Sequence, residues 1–277
     1  MPAIFSQARC SMSVLPEKPE MPSGLNTPSE RMLENIKVNI QRGLPQAKAY
    51  QNSNETVILA YGGPSLKRNL KALKKLTPTC PLVTVNGVHD YLISEGCVPS
   101  VQIMLDARPD NVCFVQNPVE TCKYLVASQC DPSVFGALEG YDVHIFHCDL
   151  GVGEDEVFKD YYLGENYRII MGGSTVGLRA LILMRTLGFS KFEIFGFDSC
   201  FLGNEHHSFQ QDLNAKDAKA VKLEGLGRTF YCTGWMLRQA YEFQDLVKHA
   251  GKLLKCRIHG NGLIANMVKA GAQLKES

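Results

Sequence analysis

The sequence predicts an α/β protein with a Rossmann-like, doubly wound and mainly parallel sheet that carries helices on both faces. From about residue 56 onward, short apolar runs of strand length alternate with longer segments whose apolar residues recur at helical spacing. Such alternation is typical of parallel sheets, because the crossover between two parallel strands usually contains a helix. Several predicted strands end in Gly, Asn or Asp, and ligands of such sheets bind beyond the carboxyl ends of the strands.

The N-terminal part is predicted to be an arm and one helix, spanning residues 1–53. Residues 1–26 are rich in Pro, Ser and Met and show no periodicity. The sequence Thr27-Pro28-Ser29-Glu30 resembles a capping box with proline at the first helical position, and it predicts a helix that runs to about Arg42. A single α/β domain is then expected over residues 54–277.

The elements of this domain follow from the lengths of the apolar runs and from the Gly and Pro residues between them. The predicted strands are 57–61, 82–86, 101–106, 123–128, 142–148, 191–198 and 253–258. The predicted helices are 66–76, 88–95, 131–138, 174–187, 235–249 and 262–270. The polar, glycine-rich stretch of about 199–232 shows no periodicity, and its length predicts a lid or substrate loop.

The composition is that of a globular protein without a charge bias. The 277 residues include 29 basic and 28 acidic side chains, and 45% of them are hydrophobic. A net charge of +1 gives no reason to expect a nucleic-acid partner. No apolar run reaches the ~18 residues of a membrane span, and the N-terminus lacks the apolar core of a secretory signal. The ten cysteines form no CxxC pair, which argues against a structural zinc site and favours reduced thiols in a cytoplasmic protein.

The run VILAYGGPSLK at 57–67 is the first candidate binding site. An apolar strand breaks into Gly62, Gly63, Pro64 and Ser65 just before a basic helix. Glycines let the backbone approach an anion, and the free amides of the helix N-terminus then face it. The spacing matches neither G-x-G-x-x-G nor G-x-x-x-x-G-K-[ST]. The run therefore predicts either a phosphate loop of another kind or a purely structural turn.

Polar residues also follow other predicted strands. Asn86 follows the second strand, Asp106 the third and Asp198 the strand KFEIFGFD, and Asn261 lies in the turn after the last strand. Each of these residue types also suits an ordinary turn. Their presence at so many strand ends favours one polar site along the carboxyl edge of the sheet.

The run MGGSTVGLRALILMRTLGF at 171–189 is the second candidate binding site. Gly173, Ser174 and Thr175 precede a helix that is almost wholly apolar, and such a helix is buried. We expect its N-terminus to point into the interior, with Ser174 or Thr175 as the cap. The unpaired amides and the helix dipole would bind a phosphate or carboxylate there; the alternative is a capped core helix that binds nothing.

These motifs together resemble the 6-hydroxymethylpterin diphosphokinase (MptE-like) family, which also contains the motility accessory factors, proposed glycosyltransferases of flagellin. The resemblance is carried by YGGPSLK, VTVNGVHDYLISEG with Pro99, IMLDARPDN and GGSTVGLRALILMRTLGFSKFEIFGFD, in that order. The C-terminal run HGNGLIANMVKAG at 259–271 is similar to the bacterial sialyltransferases that use CMP-sialic acid. The combined resemblance covers 55–271 and implies a nucleotide-binding α/β transferase.

The resemblance also implies roles for particular residues. Asn86 would face the nucleotide, Ser174 and Thr175 would hold a phosphate or sugar carboxylate, and Asn261 would lie in the base- or ribose-binding segment. The sequence departs from the sialyltransferases at Gly62, where they place an asparagine. Asp106 matches the diphosphokinase-like pattern, whereas the sialyltransferases have asparagine there. The run GLGRTFYCTGW also lacks the histidine that those enzymes use as general base.

Catalytic candidates lie in the polar stretch after Asp198. His206 or His207 could act as general acid or base, or could bind a divalent metal together with Asp198; both could also be solvated loop residues. Asp106 and Asp198 could instead hold Mg²⁺ against a polyphosphate, as phosphoryl transfer requires.

Three functions follow as hypotheses. The first is a metal-independent glycosyltransferase with a nucleotide-sugar donor and a small-molecule or glycan acceptor. The second is a Mg²⁺-dependent diphosphokinase that passes pyrophosphate from ATP to a hydroxymethylpterin-like acceptor. The third is a nucleotide- or sugar-binding protein without catalysis. The first is favoured because the C-terminal resemblance adds to the central one; the nucleotide, the acceptor and self-association stay open.

Overall fold

The computed structural model describes residues 26–48, 55–163, 167–209, 221–250 and 253–273. Most of the predicted arm, part of the predicted 199–232 loop and the chain end lie outside the described residues. The strands are β1 Thr56–Ala60, β2 Leu82–Val85, β3 Val101–Met104, β4 Lys123–Ala127, β5 Val143–Cys148, β6 Ile169–Ile170, β7 Lys191–Phe195, β8 Val221–Gly225, β9 Arg228–Cys232 and β10 Lys255–His259. The α-helices are α1 Ser29–Ile40, α2 Ser65–Leu76, α3 Val88–Ser94, α4 Pro132–Ala137, α5 Glu154–Tyr162, α6 Val176–Thr186, α7 Gly234–Ala250 and α8 Leu263–Gln273.

Eight strands form one sheet in the order β10-β7-β1-β2-β3-β4-β5-β6, and all neighbours in it are parallel. The chain starts inside the sheet at β1, runs outward to β6, and returns to β7 on the other side of β1. This reversal puts a topological switch point between β1 and β7, which is where ligands of such sheets bind. The predicted Rossmann-like α/β fold is confirmed.

The central strands are buried along their whole length. Every residue of β2 and β3 is buried, and residues 57–60 of β1 have no exposed surface. Strands covered by helices on both faces lose the alternation of apolar and polar residues, because neither face meets water. None of the helices in the described part of the chain is long and apolar enough to cross a membrane.

Helix α1 is fixed to the sheet by two buried asparagines. Asn35 Nδ2 donates to the carbonyl of Gln129 at 3.0 Å, and Asn39 Nδ2 donates to that of Cys130 at 2.7 Å. These bonds use carbonyls of the loop after β4 that would otherwise be buried without a partner. The predicted capping box is wrong: the helix begins at Ser29, and the Thr27 hydroxyl hydrogen-bonds to the side chain of Asn26.

The stretch predicted as one loop over about 199–232 contains a β-hairpin. Strands β8 and β9 pair antiparallel, and the two residues between them, Leu226 and Gly227, have φ values of +56° and +72°. A turn with two positive φ values suits a two-residue hairpin. The hairpin was missed because its strands are short and half-exposed, and because leucine stands where Asn or Gly usually marks this turn. Helix α5 and the two-residue strand β6 were also missed.

Candidate functional site

The carboxyl ends of β1, β7 and β10 meet at the switch point in a very close contact. The Gly63 amide donates to the Gly196 carbonyl at 2.9 Å. A Cβ atom on Gly63 would lie 2.4 Å from that carbonyl oxygen, and one on Gly262 would lie 2.5 Å from Asp198 Oδ1. No real Cβ atom sits so close to another heavy atom, so glycine is required at both positions.

Asp198 lies at the centre of this contact and is only 4% exposed. Its Oδ2 accepts the backbone amide of Ser65, the first residue of α2, at 2.8 Å. Burial raises the pKa of the Asp198 carboxyl group, and the hydrogen bond from Ser65 acts in the opposite direction. The carboxylate therefore occupies the positive end of α2, the place where the sequence predicts a phosphate.

The other amides of the first turn of α2 are also used. The Leu66 amide donates to the Gly63 carbonyl at 3.0 Å, and the Lys67 amide donates to Ser208 Oγ at 3.1 Å. A phosphate would have to replace these partners to bind at the start of α2. The phosphate-binding role of Gly62, Gly63, Pro64 and Ser65 stays a prediction.

The segment after β7 folds back over the glycine loop. The Ser208 amide donates to the Gly62 carbonyl at 2.9 Å, and Ser208 Oγ donates to the Gly63 carbonyl at 2.6 Å. His207 Nδ1 lies 3.3 Å from the Gly62 carbonyl oxygen, and the His206 ring lies 4.5 Å from the His207 ring. The structure thus brings the predicted histidines to the predicted loop. Sequence reasoning missed Ser208, because no local pattern distinguishes it from other loop serines.

Asn86 lies at the end of β2, next to the end of β1. Its φ is +45°, and its side-chain Oδ1 is shielded from solvent without a hydrogen-bond partner among the described residues. Phe209 borders both Gly62 and Gly87, within 3.7 Å of the Cβ atom that either glycine would carry. Asn86, the glycine loop and the segment of His207 and Phe209 therefore surround one region of the carboxyl edge.

Asp106 lies in another part of the same edge. Its carboxylate accepts hydrogen bonds from Arg108 Nη2 at 2.7 Å and from Asn26 Nδ2 at 3.0 Å. Strands β1 and β2 separate it from Asp198, which at ~4.8 Å per neighbour means about 14 Å. One Mg²⁺ could not be bound by both carboxylates. Within the described residues, no group of three or more His, Cys, Asp or Glu side chains could hold a metal ion.

The N-terminus of α6 is more exposed than the sequence predicts. The helix itself is largely buried, but Gly172 and Ser174 are exposed, so its N-terminus does not point into the interior. Thr175 is the cap and accepts the Leu178 amide at 3.4 Å. Gly173 has a φ of +82° and leads the chain into this turn.

A carboxylate from α7 lies beside this helix start and binds Ser174, the residue before the cap. Glu242 Oε2 accepts the Ser174 amide at 2.9 Å and the Ser174 hydroxyl at 2.6 Å. Glu242 Oε1 accepts Arg238 Nε at 2.9 Å. Burial disfavours the charge of Glu242, but the hydrogen bonds from Ser174 and Arg238 outweigh it and lower its pKa. Sequence reasoning missed Glu242, which lies 68 positions from Ser174.

Hydrogen bonds connect the start of α6 to the switch point. Thr175 Oγ1 donates to Gln239 Oε1 at 2.5 Å, and Gln239 Nε2 donates to Ser199 Oγ at 2.6 Å. Ser199 directly follows Asp198. On the other side, Asn261 lies exposed in the turn after β10, where its carbonyl accepts Arg228 Nη1 at 3.3 Å. These hydrogen bonds link the segment of Thr175 to the switch point, and a ligand shared by the two predicted binding segments stays a prediction.

The fold and this site define a Rossmann-like α/β protein with a polar candidate site at its switch point. Residues 30–204 match the family described as "6-hydroxymethylpterin diphosphokinase MptE-like". The match covers more than half of the chain, and the protein belongs to the MptE-like family, as predicted. No curated protein matches its sequence.

Solved structures with the same architecture include a MAf glycosyltransferase from Magnetospirillum magneticum AMB-1. The two chains superpose with a TM-score of 0.61 at 16% identity, over 91% of this chain and 42% of that one. This chain therefore spans less than half the length of that protein, and the similarity concerns the fold.

Two structures of a mammalian sialyltransferase are more distant. The one in complex with Gal-beta-1-3GalNAc-ortho-nitrophenol has a TM-score of 0.44 at 10% identity, over 85% of this chain and 80% of that one. The other has a TM-score of 0.44 at 9% identity, over 87% and 82%. Similarities at this level define neither the fold nor the function of this chain.

Proposed function

We propose that the protein is a glycosyltransferase that takes a sugar from a nucleotide donor and binds this donor at the carboxyl edge of the sheet. The observation that carries the proposal is the gathering of Gly62, Asn86 and His207 beside the switch point. Asn86 Oδ1, which has no partner within the described part of the chain, is suited to accept a hydrogen bond from a base or a ribose hydroxyl.

The proposed mechanism is a direct displacement at the sugar carbon. The acceptor hydroxyl attacks the sugar carbon and releases its proton to solvent, the bond from the sugar to the phosphate breaks, and the nucleotide leaves with the electron pair. His207 is the proposed group that holds or protonates the leaving phosphate, because imidazole exchanges a proton near neutral pH. Ser174 and Thr175 would bind the sugar side of the donor, and Asn261 the nucleoside side.

The second candidate is the diphosphokinase activity that the family description names. Transfer of pyrophosphate from ATP requires Mg²⁺ to neutralise the phosphate charge. The two predicted carboxylates do not fit one ion, because they lie at strand ends that two other strands separate. This geometry supports the glycosyltransferase as the first candidate.

A nucleotide panel with and without Mg²⁺ tests the proposal. We expect CMP, UDP or GDP to stabilise the protein without Mg²⁺, by about 2.7 kcal/mol at 100 times the dissociation constant. The matching nucleotide sugar should be hydrolysed slowly by the wild type and much more slowly by His207→Gln. His144→Gln is the matched control. His144 lies near the start of β5, at the amino edge of the sheet and away from the candidate site, where it hydrogen-bonds to Asp142.

The alternative outcomes separate the candidates. Stabilisation by ATP alone, and only with Mg²⁺, would support the diphosphokinase. Nucleotide-sugar binding without any turnover would support the binding protein. Absence of stabilisation by every nucleotide would contradict both enzyme proposals.

A further inference from the structure

The start of α6, where the proposed function puts the sugar of the donor, already holds a negative charge. Both hydrogen-bond donors of Ser174, its amide and its hydroxyl, end on Glu242 Oε2. Arg238 fixes the other carboxylate oxygen through an i,i+4 ion pair on α7. Hydrogen bonds to both of its oxygens therefore hold the Glu242 carboxylate in one position.

The charge of Glu242 persists at neutral pH. Burial opposes ionisation, but the bonds from Ser174 and Arg238 lower the pKa of this carboxyl group below its ordinary value. A second carboxylate or sulfonate at Ser174 would find both donors in use and a like charge beside it. Two like charges this close repel each other, and the water at the exposed Ser174 and the paired Arg238 cation weaken this repulsion without removing it.

The same face of α7 offers a surface for an uncharged ligand. Trp235 and Glu242 are seven positions apart, about 10 Å along one side of the helix. Trp235 is 38% exposed, and the Arg238 guanidinium lies over one face of its ring at 5.9 Å from the centroid, which leaves the other face for a ligand. An aromatic ring packs against the C–H face of a sugar, and a carboxylate accepts hydrogen bonds from its hydroxyls.

We propose that Glu242 determines specificity for an uncharged donor sugar, such as a hexose or an N-acetylhexosamine, over a sugar that bears a carboxylate. This inference rests on the proposed function, since it concerns the sugar end of the same site. It differs from the expectation that Ser174 and Thr175 hold a phosphate or a sugar carboxylate, because Glu242 already accepts both hydrogen bonds that Ser174 donates.

Donor pairs that share a nucleotide test the inference. The probes are UDP-glucose against UDP-glucuronate and GDP-mannose against GDP-mannuronate, with affinities measured by calorimetry. The wild type should bind the uncharged member of the relevant pair at least about tenfold more tightly, a difference of about 1.4 kcal/mol. In Glu242→Gln this preference should fall below about threefold, with the affinity for the bare nucleotide unchanged.

The matched control is Glu156→Gln, which removes an exposed carboxylate from α5 and should leave the preference unchanged. Melting temperatures show whether each variant is folded. The comparison of uncharged and acidic donors on the wild type does not depend on any variant, so it tests the inference even if a variant fails to fold. If the nucleotide binds but the acidic and uncharged donors bind equally, the inference is overturned and the proposed function stands. If no nucleotide binds the wild type, the proposed function fails and the inference fails with it.

Discussion

The N-termini of α2 and α6 received the same prediction, and in the structure each has a carboxylate of the chain nearby. Each follows a pair of glycines, and each was expected to bind an anion. In both cases a carboxylate of the chain itself lies at or beside the helix start: Asp198 accepts the first amide of α2, and Glu242 accepts the amide and hydroxyl of Ser174, one residue before the cap of α6. A helix N-terminus attracts negative charge, and a protein can supply that charge from its own residues as well as from a ligand.

The two carboxylates differ in their surroundings. Asp198 is buried where three strands meet, and its pKa is raised. Glu242 lies beside the exposed Ser174, and its pKa is lowered. The first contact holds the switch point together, whereas the second lies where a ligand can compete for the same donors. The comparison separates a structural contact from a candidate binding contact, although the sequence patterns around them are alike.

The largest expected effect comes from adding a methyl group at the buried contact. Gly63→Ala and Gly262→Ala should each cost more than about 3 kcal/mol of the free energy of unfolding, because the new Cβ meets Gly196 or Asp198 atoms that cannot move away. Urea denaturation measures the loss. An alanine variant at Gly63 as stable as the wild type would show that the strand ends are not packed this closely.

Gly136 provides the matched control for this prediction. It lies in α4, and a Cβ atom there would meet nothing within 4 Å. Gly136→Ala should therefore stabilise the protein by up to about 1 kcal/mol, because alanine favours a helix over glycine.

Removing the two carboxylates should have unequal effects. Asp198→Ala should cost about 2–3 kcal/mol, because the buried Ser65 amide loses its acceptor and a cavity remains. Glu242→Ala should cost about 1 kcal/mol or less, because water can reach the exposed Ser174. Chemical denaturation of both variants under one condition gives the comparison. Equal losses would contradict the distinction between a buried and an exposed contact.

The sequence predicts the parts of the fold that local patterns encode. Buried strands such as β1 are continuous apolar runs, and the helices between them show helical spacing, so the parallel sheet could be predicted. The hairpin of β8 and β9 could not, because its two short strands present only Leu223, Phe230 and Cys232 to the interior. Packing against the rest of the protein stabilises these strands, and no local pattern shows that packing.

The site could be predicted only as far as the strand ends. Gly62, Asn86 and Asp198 follow apolar runs, and the rule that ligands bind at carboxyl ends groups them. Ser208 and Glu242 meet their partners across 145 and 68 positions. Such contacts depend on how the segments pack, so a single sequence without related sequences gives no signal for them.

The smallest expected effect, and the sharpest test of the comparison, is the pH dependence of the two carboxylates. The pKa of Asp198 is raised in the folded state, so its contribution to stability is complete below the ordinary value of about 4 and is lost as the pH rises through the folded pKa. The pKa of Glu242 is lowered, so its contribution is present above about 4 and is lost as the pH falls through the folded pKa.

The variants Asp198→Asn and Glu242→Gln do not titrate at these positions. The loss of unfolding free energy in Asp198→Asn should therefore be larger at about pH 4 than at pH 7, whereas the loss in Glu242→Gln should be larger at pH 7. Urea denaturation of both variants and the wild type between about pH 3.5 and 7 measures the two differences, and other titrating groups cancel because they are common to all three proteins. If both losses change with pH in the same direction, the two carboxylates do not lie in the opposite electrostatic surroundings described above.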